Sequence, residues 1–257
     1  MEFRPCIDIH DGKVKQIVGG SMGRGDRARE NYVAEQDAAY FADFYKNKKI
    51  KGGHVILLNG KDHALYEKTK EQALNALKAY PQGLQVGGGI TDENAAEYFE
   101  AGASHVIVTS YVFSDGKVNY ENLDRLVREV GSGHLVLDLS CRKKDGKYYI
   151  VTDRWQKFTD TVLDYKLLCS LEGTCDEYLI HAVDVEGKAL GIEREVAELL
   201  GLYENRPVTY AGGVHNYEDL ELLKQLGRGH VNVTIGSALN IFGGSMDLDK
   251  ILEFCDN

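Results

Sequence analysis

The sequence predicts an α/β fold, a closed (β/α)₈ TIM barrel assembled from two similar half-barrels. Three observations carry this expectation. Short apolar runs alternate with helix-period segments from end to end, eight times in 257 residues. Gly-rich strand ends recur at an offset of about half the chain. An Asp near the end of an apolar strand is followed by Asp-Gly-Lys twice, in "CIDIHDGKVKQI" (6–17) and "LVLDLSCRKKDGKYYIV" (135–151).

The strand candidates, in order, are "FRPCIDI", "GHVILL", "LQVGGGI", "SHVIVTS", "HLVLDLS", "EYLIHAV", "PVTYAGGV" and "HVNVTIGS". Each is short and rich in Val, Ile or Leu, as strands buried on both faces require. Between them, segments such as "ENAAEYFEAGA" and "NYEDLELLKQLG" repeat their apolar residues at three and four and run into Gly, the pattern of a helix with its C-terminal stop. A doubly wound open sheet has the same alternation and differs only in closure. No Pro-rich or low-complexity linker interrupts the chain, so 1–257 is expected to form a single domain with an internal repeat of approximately 1–128 and 129–257. "QVGGGITDENAAEYFEAGASHVIVTSYVF" (85–113) echoes "TYAGGVHNYEDLELLKQLGRGHVNVTIGSAL" (209–239). Gly88 and Gly89 match Gly212 and Gly213 at 124, Ser110 matches Ser237 at 127, and Asp8 matches Asp138 at 130.

The formal net charge of −10 argues against broad attraction to nucleic acid or to an anionic membrane surface, leaving room for a local anion pocket. Cys6, Cys141, Cys169, Cys175 and Cys255 are odd in number and contain no Cys-x-x-Cys, so reduced cysteines in a cytoplasmic protein are expected. The chain enters strand-like sequence by Phe3 without an export or targeting leader, and no apolar run reaches membrane-spanning length. No dinucleotide fingerprint or His-rich ligand cluster appears, so neither a cofactor nor a metal is expected. A monomer is expected.

In such a barrel the carboxyl ends of the strands and the loops after them face the active-site mouth. Gly88 and Gly89 end strand 3, Thr109 and Ser110 end strand 4, and Gly212, Gly213, Gly236 and Ser237 close strands 7 and 8. Glycine lets backbone N–H groups approach an anion with no Cβ in the way. One isolated Gly-Gly would read as a tight turn; two copies, each paired with a hydroxyl one strand later, point to two phosphates. Asp8 and Asp138 fall four strands apart in an eight-strand ring and so should face each other across a ligand phosphorylated at both ends. Opposed carboxylates suit paired acid–base work, whereas either alone would read as the cap of its adjacent turn.

"PCIDIHDGKVKQIVGG", "VGGGI", "LDLSCR", "YAGGV" and "IGSAL", in this order and spacing, resemble the histidine-biosynthesis barrel family over essentially the whole chain. That family contains an isomerase of phosphoribosylformimino-aminoimidazole-carboxamide ribotide and the cyclase subunit of imidazole glycerol phosphate synthase. The resemblance implies a bisphosphorylated small-molecule substrate, Asp8 as general base and Asp138 as general acid. The cyclase's lysine after the strand-1 Asp-Gly is replaced by Gln16, with Lys15 one step off on the other hairpin face, so the isomerase is expected; the cyclase and a non-catalytic phosphate-binding barrel are the alternatives. "VKQIVGG" and "HAVDVEGKALG" resemble the eukaryotic branch of the isomerase. The implied reaction is an Amadori rearrangement of an aminoaldose to an aminoketose, with Trp155 stacking on the imidazole carboxamide and Gly187 in a phosphate loop. After strand 6 the chain departs from the family's Thr or Ser followed by an acid, offering Ala182, Asp184 and Glu186. His181 is then a polar substitute or, by preference, a satisfied strand-end histidine. The Gly- and Arg-rich segment 19–31, with Arg24, Arg27 and Arg29, is expected to act as a lid.

Overall fold

Each apolar run contributes one strand to a parallel sheet: β1 (Cys6–His10), β2 (Gly53–Leu57), β3 (Leu84–Gly87), β4 (His105–Val108), β5 (Leu135–Asp138), β6 (Glu177–His181), β7 (Val208–Ala211) and β8 (Asn232–Thr234). The structure is a computed structural model and describes residues 1–18 and 30–256; the expected lid, with its three arginines, lies outside the described residues except for its last two positions. The strands pair in chain order from β1 to β8. Closure separates a barrel from an open sheet, and it is present. Arg4 N–H donates to the Val233 carbonyl at 2.8 Å, Val233 N–H donates to the Glu2 carbonyl at 2.9 Å, and Phe3 lies opposite Val233 in parallel register.

Eight α-helices occur among the described residues: α1 (Ala38–Asn47), α2 (Tyr66–Ala79), α3 (Ala95–Glu100), α4 (Tyr120–Val130), α5 (Tyr165–Leu171), α6 (Arg194–Gly201), α7 (Tyr217–Leu226) and α8 (Leu248–Asp256). Local chemistry starts several of them. Asp37, Asn119, Asp164 and Asn216 each accept a hydrogen bond from the backbone N–H three residues on, satisfying a donor the first turn leaves orphaned. Alternation along the strands then divides the core in two. Ile7, Ile9, Val55, Val86, Val106, Leu137, Ile180 and Tyr210 belong to the large apolar layer shared with the helices, while Ile56, Ile107, Val136, Leu179 and Ala211 form a small separate cluster inside the ring.

The two Asp-Gly pairs do the same local job. Asp11 and Gly12 have φ of 55° and 74°, Asp145 and Gly146 have φ of 50° and 76°, so both pairs form left-handed two-residue turns that suit a twisted hairpin. Their settings differ. The first hairpin folds Lys13–Ile17 straight back on β1, whereas the second belongs to a separate three-stranded sheet of Cys141–Lys144, Lys147–Thr152 and Lys157–Val162 that stands over the barrel beyond β5.

Close packing around the ring sets a testable limit. A Cβ added at Gly201, where α6 meets the end of α7, would lie 2.1 Å from the Leu226 carbonyl oxygen, while one at Gly146 meets nothing within 4 Å. Gly201→Ala should lower unfolding free energy by the ~1–3 kcal/mol of an overpacked core. Gly146→Ala should lose only the ~1–2 kcal/mol of a left-handed alanine. Urea denaturation of the two variants checks the order; equal losses would mean that α6 and α7 separate without resistance.

Candidate active site

The carboxyl ends of the strands open into two adjoining cavities of about 510 and 270 Å³. Gly88, Gly89, Thr109, Ser110, Asp138 and Trp155 line the larger; Gly187, Gly212, Gly213, Gly236 and Ser237 line the smaller. Asp8, His181 and Glu186 line both and so occupy the junction. The strand order places β1 and β5 on opposite sides of the ring, and every site residue expected from the sequence borders one cavity or the other.

The paired glycines are held where side chains have no room. Gly88 has φ of 107° and a Cβ there would fall 2.2 Å from the Leu57 carbonyl oxygen; Gly213 has φ of 79° and its Cβ would fall 2.0 Å from that of Gly191. Among the described residues, the backbone N–H groups of Gly88, Gly89, Gly212, Gly213 and Ser237 have no protein acceptor, which leaves them for an anion. The cavities differ in charge. Lys61 and Arg154 line the larger one, whereas no lysine or arginine among the described residues lines the smaller.

At the strand ends, position drives the carboxylates apart electrically. Burial pushes the Asp8 carboxyl up from 3.8 to about 7, the positive charge of His181 opposing and the Glu186 carboxylate adding to it. Burial also pushes Asp138 upward, but His181 and the hydrogen bonds around Asp138 outweigh it and hold that carboxyl below its ordinary value. Asp138 Oδ1 accepts from Ser140 N–H at 2.9 Å and from the Ser140 hydroxyl at 2.7 Å, and lies 3.4 Å from His181 Nδ1. The Trp155 indole N–H donates to the same Ser140 hydroxyl at 3.0 Å, which fixes the ring beside the carboxylate. His181 itself is pushed down by burial and pulled up further by Asp138, Glu186 and Asp8, to about 9. Across from it, burial and the His181 charge depress His54 to about 3, leaving a neutral imidazole.

The sequence match can be weighed against this geometry. The model of a family described as "Histidine biosynthesis protein" matches residues 2–246. The chain belongs to this family. It is 54% identical to a chloroplastic protein of Medicago truncatula over 99% of this chain and 81% of the relative. It is 46% identical to a Neurospora crassa protein over 98% and 97%, and 39% identical to one from Saccharomyces cerevisiae over 95% and 94%. All three relatives are named as 1-(5-phosphoribosyl)-5-((5-phosphoribosylamino)methylideneamino)imidazole-4-carboxamide isomerases.

Against the histidine-biosynthesis family pattern, the first hairpin resolves one question. Gln16 lines the smaller cavity with its amide on Cys6 Sγ at 3.6 Å, while Lys15 turns to the other face and pairs with Glu30 at 2.6 Å. The turn-cap alternative is realised at Asp138, through Ser140, and at Asp8 no such bond occurs among the described residues. From sequence alone, Glu186 is named only among the residues offered after strand 6, His181 is by preference a satisfied strand-end histidine, and His54 is not singled out. A polar residue at the end of an apolar strand was the available signal for His181. Asp184 serves the scaffold: it accepts from Arg142 Nε at 2.9 Å and from Lys143 N–H at 2.8 Å, tying the loop after β6 to the sheet above β5. Among the described residues no group of His, Cys, Asp or Glu is arranged to hold a metal ion, and no helix is long and apolar enough to cross a membrane.

The raised Asp8 carboxyl predicts a stability effect with a defined sign. The unfolded chain ionises this group near 3.8 and the fold near 7, so its charge penalty is absent below about 3.8, grows with pH and is complete above about 7. Asp8→Asn should therefore raise the melting temperature, by several degrees at pH 8 and by less at pH 5, as expected for a relief on the order of a few kcal/mol. Thermal denaturation at the two pH values measures it; a variant less stable at pH 8 contradicts the electrostatics described.

Proposed function

We propose that the chain catalyses the isomerisation for which its relatives are named: an Amadori rearrangement of the bisphosphorylated aminoaldose to the phosphoribulosyl aminoketose, in histidine biosynthesis. The observation that carries this reading is the pair Asp8 and Asp138, on opposite strands of the ring, Asp8 at the junction of two cavities edged by glycines with free N–H groups and Asp138 in the wall of the larger. Each cavity takes one phosphate, so the reacting carbons fall near the junction, where Asp8 stands, on the side of the larger cavity that Asp138 lines. The two half-barrels, 1–128 and 129–257, then supply one phosphate cradle and one carboxylate each.

The reaction needs a proton delivered to the ribose ring oxygen as the C1–O bond breaks and the attached nitrogen forms a C=N bond. It next needs a base to remove the proton from C2; the enolamine then collapses to the ketone. Asp138 is assigned as general acid and Asp8 as general base, and a group near 7 is poised for a base at neutral pH. Trp155, pinned beside Asp138, supplies a flat face for the imidazole carboxamide. A second reading exchanges the two carboxylates, because in the free protein Asp138 is the ionised one. Gln16 in the cavity, in place of a lysine, disfavours the cyclase.

Asp8→Asn and Asp138→Asn should each reduce kcat by at least ~10²-fold while substrate affinity largely survives. Solvent deuterium exchange at substrate C2 tells the roles apart: it should stop in the Asp8 variant after ring opening, and the exchanged reading predicts the reverse. Near-normal turnover in both variants would overturn the pair. Product identification with and without ammonia separates isomerase from cyclase, and an inert protein with intact phosphate affinity would be a binding barrel. The reading places the chain in the cytoplasm as a monomer, although the Medicago relative is named as chloroplastic; fluorescence microscopy of the full chain decides the compartment, and sedimentation the assembly.

A further inference from the structure

A general acid must hold a proton when the substrate arrives, and Asp138 is held ionised. The titratable group packed against it is the His181 imidazole, with Nδ1 3.4 Å from the carboxylate. We propose that His181 stores the proton that Asp138 delivers, so that the donor in ring opening is the His181–Asp138 pair and His181 is its positioning residue. This deepens the acid–base reading above and rests on it.

The geometry supports a relay between the two side chains. His181 Nδ1 stands 3.4 Å from Asp138 Oδ1, the oxygen that Ser140 also grips through both its N–H and its hydroxyl. The Thr109 side chain also hydrogen-bonds the Asp138 carboxylate. The imidazole is held on two sides, by Trp155 with ring centroids 5.8 Å apart and by His54, also at 5.8 Å. The charged or titratable groups facing it are Asp8 from β1, His54 from β2, Asp138 from β5 and Glu186 from the loop after β6. Three are carboxylates and the fourth is a neutral imidazole, which leaves His181 as the cation of the cluster.

In the step, the imidazolium N–H bond breaks and an O–H bond forms on Asp138. That O–H then breaks as the ring oxygen gains the proton and the C1–O bond gives its electron pair to oxygen. Imidazole is left neutral and Asp138 ionised. When the enolamine becomes the ketone, its hydroxyl proton returns through Asp138 to His181, while the proton that Asp8 took from C2 is placed on C1. Nothing is consumed, as an isomerisation requires.

The decisive measurement is an NMR titration of histidine-labelled protein, with the His181 resonance assigned by its loss in His181→Gln. His181 should be an imidazolium at pH 7.5 and titrate near 9, and Asp138→Asn should lower that midpoint by at least about one unit, since the partner charge supplies the shift. In kinetics, His181→Gln keeps a hydrogen-bond donor but no titratable proton. It should lower kcat ~10–100-fold, the low end of general acid catalysis, with KM changed less than about threefold, and abolish the alkaline limb of kcat/KM. Its acid limb should move upward, because Asp8 loses the neighbouring cation. A merely structural histidine would lower activity without moving either limb. A His181 that titrates below the ordinary imidazole value, or a His181→Gln profile with both limbs unmoved, overturns the proposal. The NMR arm needs no turnover, so an inactive wild-type protein would sink the isomerase reading and leave the relay to be judged by titration alone.

Discussion

Two backbone hydrogen bonds, between the residues ahead of β1 and the middle of β8, turn a twisted sheet into a ring. The site depends on that closure. In an open sheet β1 and β5 would lie side by side along one row at a separation fixed by the strands between them, and their terminal carboxylates would point in a common direction. In a ring of eight the same two strands are diametrically opposed, and both carboxylates border the cavities at the mouth. Closure also brings the first and last thirds of the chain together: Gln16 of the first hairpin fills the space beside Gly236, where a Cβ would collide with its amide oxygen.

The centre of the ring is an electrostatic compromise. Asp8, Asp138 and Glu186 are gathered in a place from which water is largely removed, and such a group of like charges is unfavourable unless some are neutralised. One imidazole does most of this work. It stabilises ionised Asp138 strongly and Asp8 only partly, which is why two identical side chains at the ends of equivalent strands behave differently. The three-stranded sheet beyond β5 reinforces the difference, because Ser140 and Trp155 attend Asp138 and the first half offers Asp8 no counterpart among the described residues. Equivalent places in the ring are thus unequal in charge.

That division explains what could be read from the amino-acid sequence. The strands, the helices and their order were legible because the periods of 2 and 3.6 are local properties, and the offsets between Gly88 and Gly212 or between Asp8 and Asp138 are arithmetic on the chain. Strand ends were less so: "PVTYAGGV" reads as one run of eight, yet the strand stops at Ala211 because Gly212 turns to φ of 120°. The glycines and carboxylates that border the cavities could be picked out because similar stretches occur twice in the chain. The importance of His181, His54 and Glu186 arises from contacts between strands far apart in sequence. Nothing local to "EYLIHAV" reveals that its histidine will meet three carboxylates.

The unequal lining of the two cavities has a consequence for recognition. A molecule carrying a phosphate at each extremity is nearly a palindrome to a receptor that reads phosphates alone, and two identical cradles would accept it backwards as readily as forwards. Among the described residues, Lys61 and Arg154 stand beside one cavity while histidines and the Gln16 amide line the other, so the two ends of the mouth present different faces to whatever enters.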